Sequence, residues 1–188
     1  NWVAWHLTDK HTAGPVARSS KFWANPKISK PYRVDYYDYK DSGYDRGHMC
    51  PAGDNKWDSD AMYNSFLFTN CCPQNANLNS GTWNQIEMST RRWAERWGDL
   101  YIVCGPILFK QKHQTIGRNK VDVMKQRILS IQHAEISCQC IVALLGGHAI
   151  QITIQHMAET AAGNVVCQQR IQSRYPILDK PCIGVCVD

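Results

Sequence analysis

The sequence predicts an α+β fold, built on a central, mostly antiparallel sheet with flanking helices. Short apolar runs of strand length recur at 2–7, 65–70, 100–104, 141–145 and 149–154, bounded by Gly, Pro and polar clusters. The last two are joined by Gly146-Gly147, a hairpin signal. One segment, 78–97, has the length and spacing of a helix. With 188 residues, 44% of them hydrophobic and seven of them Trp, the chain reads as a single domain, 1–188, with a packed core.

Trp2-Val3-Ala4-Trp5-His6-Leu7 is aromatic and β-branched and ends at polar Thr8-Asp9-Lys10, which makes it the first strand. Residues 11–35 read as irregular because Pro15, Pro26 and Pro31 interrupt any long element. They carry Arg18, Lys21, Lys27, Lys30 and Arg33 interleaved with Phe22, Trp23 and Tyr32. Aromatics among cations suit a nucleic-acid backbone, and a basic loop with anchoring rings accounts for them equally well. After the turn-like Lys40-Asp41-Ser42-Gly43, a strand through His48 is expected, and Asp58-Ser59-Asp60-Ala61-Met62-Tyr63 reads as a capped helical turn. Ser65–Asn70 is predicted as a short buried strand that Cys71-Cys72-Pro73-Gln74 ends, since Pro73 has no amide proton for a ladder.

The helix opens near Leu78 and stops at Gly98. Asn79, Trp83 and Glu87 are spaced by four and share a face, with the outer two roughly 12 Å apart at about 1.5 Å per residue. Leu100-Tyr101-Ile102-Val103-Cys104, closed by Gly105-Pro106, reads as a central strand. Ile141–Leu145 and Ala149–Ile154 read as two more.

Composition narrows the function. The formal charge is +5, and all of the excess lies in residues 1–121. A polyanionic partner fits that distribution, as does an ordinary solvated surface. The nine Cys contain no Cys-x-x-Cys pair, which argues against zinc. Four disulfides with one thiol, or thiols throughout, both remain open. No run approaches the ~20 apolar residues of a membrane span, so no membrane partner is expected.

The densest chemistry lies in Tyr44-Asp45-Arg46-Gly47-His48-Met49-Cys50-Pro51-Ala52-Gly53-Asp54. A phosphodiester resists hydrolysis because the attacking water must lose a proton and because charge builds on phosphate and leaving oxygen. A neutral imidazole takes a proton near pH 7, and an Arg with a divalent cation holds the charge. Arg46 and His48 are two apart and would share one face of a strand. Taken alone, His48 reads more readily as a structural histidine and Asn79 as a helix N-cap, and the tetrad fits a turn.

The order of motifs is more specific. Asp45-Arg46-Gly47-His48 is followed by Asn70-x-x-Pro73-Gln74, then Leu78-Asn79-x-Gly81-x-Trp83-Asn84-x-x-Glu87, Cys104-Gly105-Pro106 and Ile116-Gly117-Arg118-Asn119. From about Trp2 to Val121 this resembles the DNA/RNA non-specific endonuclease family, the ββα-metal nucleases that include endonuclease G. The resemblance implies a ββα-metal motif made by the His48 strand, the Phe66–Asn70 strand and the Asn79 helix. It implies His48 as general base, Asn79 as the sole direct protein ligand of Mg²⁺, with Mn²⁺ as a substitute, and Glu87 as the residue orienting metal-bound water. Arg46 would stabilise the phosphate, Asn70 support the site by hydrogen bonding, and Asp45 fix the local backbone. Arg18 or Lys21 falls where the family contacts a phosphate. A single neutral ligand suits Mg²⁺, which keeps several waters.

Two departures stand out. Cys71 and Cys72 occupy positions that are apolar or small in the family, and Asp122-Val123-Met124-Lys125-Gln126 replaces an expected Pro and Phe-rich run. The function expected is Mg²⁺-dependent endonucleolytic cleavage of DNA and RNA with little sequence preference, leaving 5′-phosphate ends. The alternatives are a nucleic-acid-binding protein without turnover and a nucleotide phosphodiesterase. The oligomeric state stays open, a homodimer included. Because unspecific nuclease activity is hazardous beside a genome, an exported protein, secreted or periplasmic after signal removal, is the expectation.

Overall fold

The computed structural model describes residues 2–106 and 114–124, and the strands at 126–133, 138–145, 148–156, 158–159, 165–166 and 169–171. Its frame is a six-stranded antiparallel sheet. β1 (Val3–Leu7) lies at one edge, paired with β4 (Leu100–Pro106) in the register Val3↔Cys104 to Leu7↔Leu100. Then come β7 (Gln126–His133), β8 (Cys138–Leu145), β9 (His148–His156) and β12 (Gln169–Ile171). The remaining strands form three two-stranded ribbons: β2 (Asp45–His48) with β3 (Cys71–Gln74), β5 (Thr115–Ile116) with β6 (Val121–Asp122), and β10 (Ala158–Glu159) with β11 (Val165–Val166). The short helices are α1 (Asp9–Thr12), α2 (Tyr36–Tyr39), α3 (Ser59–Ser65) and α4 (Ala76–Leu78), and the long one is α5 (Asn84–Trp97).

The core follows from two periodicities. Along β1, Val3, Trp5 and Leu7 turn inward while Trp2, Ala4 and His6 face out, the alternation of a half-buried strand. Along α5, Ile86, Thr90, Trp93 and Ala94 recur at helical spacing and are buried. Ile86, Trp93 and Ala94 join Leu7, Leu100, Ile102, Cys104 and Ile131 of the sheet in one core, together with Trp83, Met49, Cys72 and Met124. Gly98, at φ 88, ends α5, and its N–H closes on the Ala94 carbonyl at 2.8 Å.

The expected α+β architecture stands, and so do the first, fourth and two late strands. The Gly146-Gly147 turn lies outside the described residues, although Leu145↔His148 pairs the strands it joins. The helical turn at 58–63 is α3, capped by Asp58, whose side chain accepts from the Ala61 N–H at 2.8 Å. The strand expected at 65–70 is not formed. Ser65 ends α3, Phe68–Asn70 is a 3₁₀ turn, and the strand starts where it was expected to stop. Pro73 is tolerated inside β3 because its carbonyl accepts from Met124 N–H at 3.1 Å. In an antiparallel strand the nitrogen and carbonyl of one residue face the same edge, so the missing N–H points away from β2 and costs no bond to it.

The helix begins earlier than expected. Asn75 caps it, its side chain accepting from Asn77 and Leu78 N–H, so Asn79 is not an N-cap but an interior residue in helical conformation. A widened π-type turn, Asn79–Trp83, with Gly81 at φ −94 and ψ −111, joins α4 to α5. It breaks the shared face expected for 79, 83 and 87. Trp83 turns into the core at 1% exposure, while Asn79 and Glu87 border the same cleft.

Cys50, Cys71, Cys72 and Cys104 are buried thiols and form no disulfide. Four disulfides would need eight of the nine cysteines, so that option falls. Cys71 and Cys72 follow one another on a strand and cannot bridge each other there. Among the described residues no helix is long and apolar enough to cross a membrane.

Candidate active site

β2 and β3 pair from Asp45↔Gln74 to His48↔Cys71, and β2 forms the floor of a cleft of about 500 Å³ that the 79–87 turn and helix wall. Arg18, Arg46, His48, Asn79 and Glu87 all line it, together with Phe22, Tyr44, Asp45 and Asn84. Residues as far apart in sequence as Arg18 and Glu87 therefore converge, as the motif order implied. Lys21 is exposed and is not part of the cleft lining. Asn70 is also absent from the lining but lies directly behind it.

Gly47 is required by space rather than by backbone angle. A Cβ there would lie 2.0 Å from Gln74 Oε1 and 2.8 Å from Gln74 Cβ, and Gln74 is fully buried. With Gly47 turned to that packed side, alternation sends Arg46 and His48 to the opposite one. His48, 7% exposed, stands edge-on to Phe66 at 4.8 Å between ring centroids and tilted against Phe22 at 5.3 Å. The same two rings carry the cations: the Arg46 guanidinium lies 4.4 Å above Phe22 and that of Arg18 lies 5.2 Å above Phe66. An aromatic platform thus holds both cations and the imidazole. Neither Phe22 nor Phe66 is assigned to the site by sequence; the interleaving of Phe22 with cations is the available signal.

Asn70 braces the segment after His48. Its Oδ1 accepts from Cys50 N–H at 2.9 Å, its Nδ2 donates to the carbonyls of Cys50 and Ser65, and its own carbonyl accepts from Met49 N–H at 2.8 Å. Opposite, Asn79 Nδ2 donates to Asp45 Oδ2 at 3.0 Å. That bond fixes the amide, and the carbonyl Oδ1 is the end Asp45 does not engage.

Asp54 closes the segment as a strut. It is 3% exposed, accepts from Trp5 Nε1 at 3.0 Å and pairs with Arg91 Nη1 at 2.9 Å, tying β1 and α5 to the cleft floor. Burial pushes its pKa up to about 6, against the opposing pull of Arg91 and Trp5. Cys50 donates its N–H to Asn70, and its sulfur accepts from Asn55 Nδ2 at 3.3 Å; burial raises its thiol pKa, leaving it un-ionised. Arg91 and Asn55 have no signal in the sequence.

The Ile116-Gly117-Arg118-Asn119 motif does not reach the cleft lining. It clasps α2: Asn119 donates its N–H to Asp38 Oδ1 at 3.0 Å and its Nδ2 to Oδ2 at 2.8 Å. Gly117, at φ 67, leaves a Cβ position only 2.4 Å from Asp38 Cα. Burial works to raise the Asp38 pKa, but the hydrogen bonds from Asn119, Asp35 and Arg118 outweigh it and keep the group below the usual carboxylate value.

The donor set in the cleft is hard oxygen, the Asn79 amide and the Glu87 carboxylate, with the Asp45 carboxylate engaged by Asn79. Among the described residues no group of three or more His, Cys, Asp or Glu forms a metal cage. Such a set fits Mg²⁺ or Mn²⁺ held mainly by water, and does not fit a structural zinc.

Comparison with known proteins agrees with this architecture. The chain is 40% identical over 121 residues to mitochondrial nuclease EXOG of Xenopus laevis, covering 64% of this chain and 34% of that protein. It is 30% identical over 132 residues to human mitochondrial endonuclease G, covering 65% and 44%. The chain thus matches a third to under half of the length of these relatives. The crystal structure of an EndoG/EndoGI complex, which concerns the mechanism of EndoG inhibition, superimposes with a TM-score of 0.65 at 28% identity, covering 81% of this chain and 64% of the other. The relatives are mitochondrial nucleases, which overturns the expectation of an exported protein: the hazard to a genome does not require secretion. Residues 1–135 match the profile of the DNA/RNA non-specific endonuclease family, to which this chain belongs.

Proposed function

We propose that this chain is a metal-dependent endonuclease that hydrolyses phosphodiester bonds of DNA and RNA with little sequence preference. The observation that carries the reading is the convergence of His48, Arg46, Asn79 and Glu87 on one cleft. A mitochondrial location, as in the relatives' names, belongs to the same proposal.

His48 accepts the proton of the attacking water. Its ring is clamped between Phe22 and Phe66, so its orientation is set before substrate arrives. Arg46, held over Phe22, places its fork of donors against the phosphate, where negative charge accumulates. Arg18 supplies a second cation to the same cleft. Asn79 through Oδ1, with Glu87 acting through water, would hold Mg²⁺ or Mn²⁺, which when bound supplies charge neutralisation at the phosphate and the departing 3′-oxygen. Asp45 keeps the Asn79 amide turned the right way. Contacts directed at phosphates carry no direct base information, which accounts for weak sequence preference. Departure of the 3′-oxygen leaves the phosphate on the 5′ end of the product.

The test is plasmid nicking with Mg²⁺ and with EDTA, beside His48→Ala. Nicking is expected only with the metal, and the variant is expected to lose about 10²- to 10⁴-fold in kcat, the range for a general base. Equal rates for His48→Ala and wild type would sink the mechanism. Binding without nicking would support a binding protein, and turnover of mononucleotide esters alone a phosphodiesterase.

A further inference from the structure

Outside the cleft, one segment of the described surface carries three large exposed rings. Tyr32, Tyr36 and Tyr37 are 77%, 52% and 65% exposed and fall within six residues of one another. Single exposed rings are ordinary, but these three follow closely on one segment that also carries cations. Lys30 and Lys40 are exposed on the same segment, and Arg118 reaches in from the β5–β6 turn, its guanidinium 5.8 Å from the Tyr37 ring. Asp35 is the partner of Arg118, at 3.6 Å, yet the Arg118 side chain remains 75% exposed. Asp38 is buried and already bonded to Asn119, which leaves half-buried Asp35 and exposed Asp41 against exposed Lys30, Lys40 and Arg118. The exposed charge around the rings is on balance positive.

The rings are presented rigidly. Tyr36 and Tyr37 pack edge to face at 5.6 Å on α2, whose N-terminus Asp35 caps, and the Gly117–Asn119 clasp pins the helix through Asp38. Tyr39 of the same helix stacks on Phe68 at 5.2 Å. The small core beneath α2 includes Phe22 and Tyr44 at its margin, and both of these also line the cleft. The ring cluster and the cleft are thus two exposed sides of one packed unit.

We propose that Tyr36 and Tyr37, flanked by Tyr32, Lys40 and Arg118, form a stacking platform for a single-stranded stretch of polynucleotide running from the cleft. Every base has a π-face, so rings bind unpaired bases without reading sequence, while the cations take the intervening phosphates. A duplex keeps its bases stacked on one another and gains only the phosphate contacts. The platform also explains the Ile116–Asn119 motif, which holds α2 and delivers Arg118. The proposal rests on the nuclease reading for its substrate but not for its binding.

The experiment measures binding in EDTA, by fluorescence anisotropy, of single-stranded DNA and RNA oligonucleotides from 4 to 20 nucleotides and of a 20-base-pair duplex. Wild type is expected to gain affinity with length for both single strands. Y36A/Y37A is expected to lose that gain, about tenfold at 20 nucleotides, and to bind the 4-mer and the duplex within twofold of wild type. Y36F/Y37F retains the rings and is expected to keep the gain. Because both side chains are exposed, unchanged thermal melting is expected in all variants. A length-dependent gain that survives in Y36A/Y37A overturns the platform, as does equal weakening of duplex and single strand, or no gain with length in wild type. The same proteins are assayed for plasmid nicking. Wild type that binds through the rings but never nicks would retain the platform and remove the nuclease reading; nicking with ring-independent binding would do the reverse.

Discussion

Asn79 shows how much of the site depends on a single hydrogen bond. An amide can present either oxygen or nitrogen to a cation, and only the oxygen is a ligand. Asp45 accepts from Asn79 Nδ2, which in the role proposed for Asn79 leaves Oδ1 for the metal. Removing that acceptor in Asp45→Ala leaves the amide to rotate, and loss of such a supporting partner typically costs about 10- to 100-fold in metal affinity. Mn²⁺ titration by calorimetry is expected to show a rise in Kd of about that size, with the Mg²⁺ needed for half-maximal nicking rising in step. An unchanged Mn²⁺ Kd would leave Asp45 with no part in orienting the ligand. Most of this is legible in the chain: the motifs single out Arg46, His48, Asn79 and Glu87, and all four border the cleft. The partnership of Asp45 with Asn79 is not legible, because residues 34 apart reveal a side-chain bond only when folded.

The β2–β3 ribbon and the 75–97 segment set the geometry at the next level. In the ribbon, Gly47 is the position where the two strands close on each other through Gln74. Gly47→Ala forces a methyl into the buried Gln74 side chain at a point where Gln74 Cβ itself is 2.8 Å away. Overpacking of this kind costs about 1–3 kcal/mol, measurable by urea denaturation. Because the displacement falls between Arg46 and His48, nicking is expected to fall at least about tenfold even where the variant is fully folded. Wild-type activity in a folded Gly47→Ala would show that the ribbon yields without moving the base.

Where reading by element fails, physical ambiguity explains it. Phe66-Leu67-Phe68 is apolar because it is buried at the core beside Met62 and Tyr39, and a buried turn reads like a buried strand when only hydrophobicity is visible. The proline that argues against a strand at 71–74 sits with its nitrogen turned from the partner, a fact of register and not of composition. The widened turn at 79–83 leaves no mark beyond Gly81, yet it decides that Trp83 goes to the core and Asn79 to the cleft.

For the molecule as a whole, Asp54 joins the parts: the first strand through Trp5, the long helix through Arg91, and the floor of the cleft through its own backbone. A carboxylate so buried prefers to be protonated, and burial raises its pKa from the ordinary 3.8 to about 6. The folded state therefore binds this proton more tightly than the unfolded state. The stabilisation from Asp54 is fully present below pH 3.8 and is lost as pH rises through about 6. In Asp54→Asn that dependence disappears; size is kept, but the amide accepts through Oδ1 alone, so one of the two bonds from Trp5 and Arg91 is lost at both pH values and cancels in the difference. Urea denaturation of wild type and Asp54→Asn at pH 7.5 and 4.5 isolates the contribution, since the other titrating groups cancel in the difference. The gap is expected to move in favour of wild type at the lower pH, by about 2 kcal/mol at about 1.4 kcal/mol per pK unit inside the window. A move the other way would mean that Arg91 holds Asp54 ionised and that the strut is an ion pair at every pH where the protein folds.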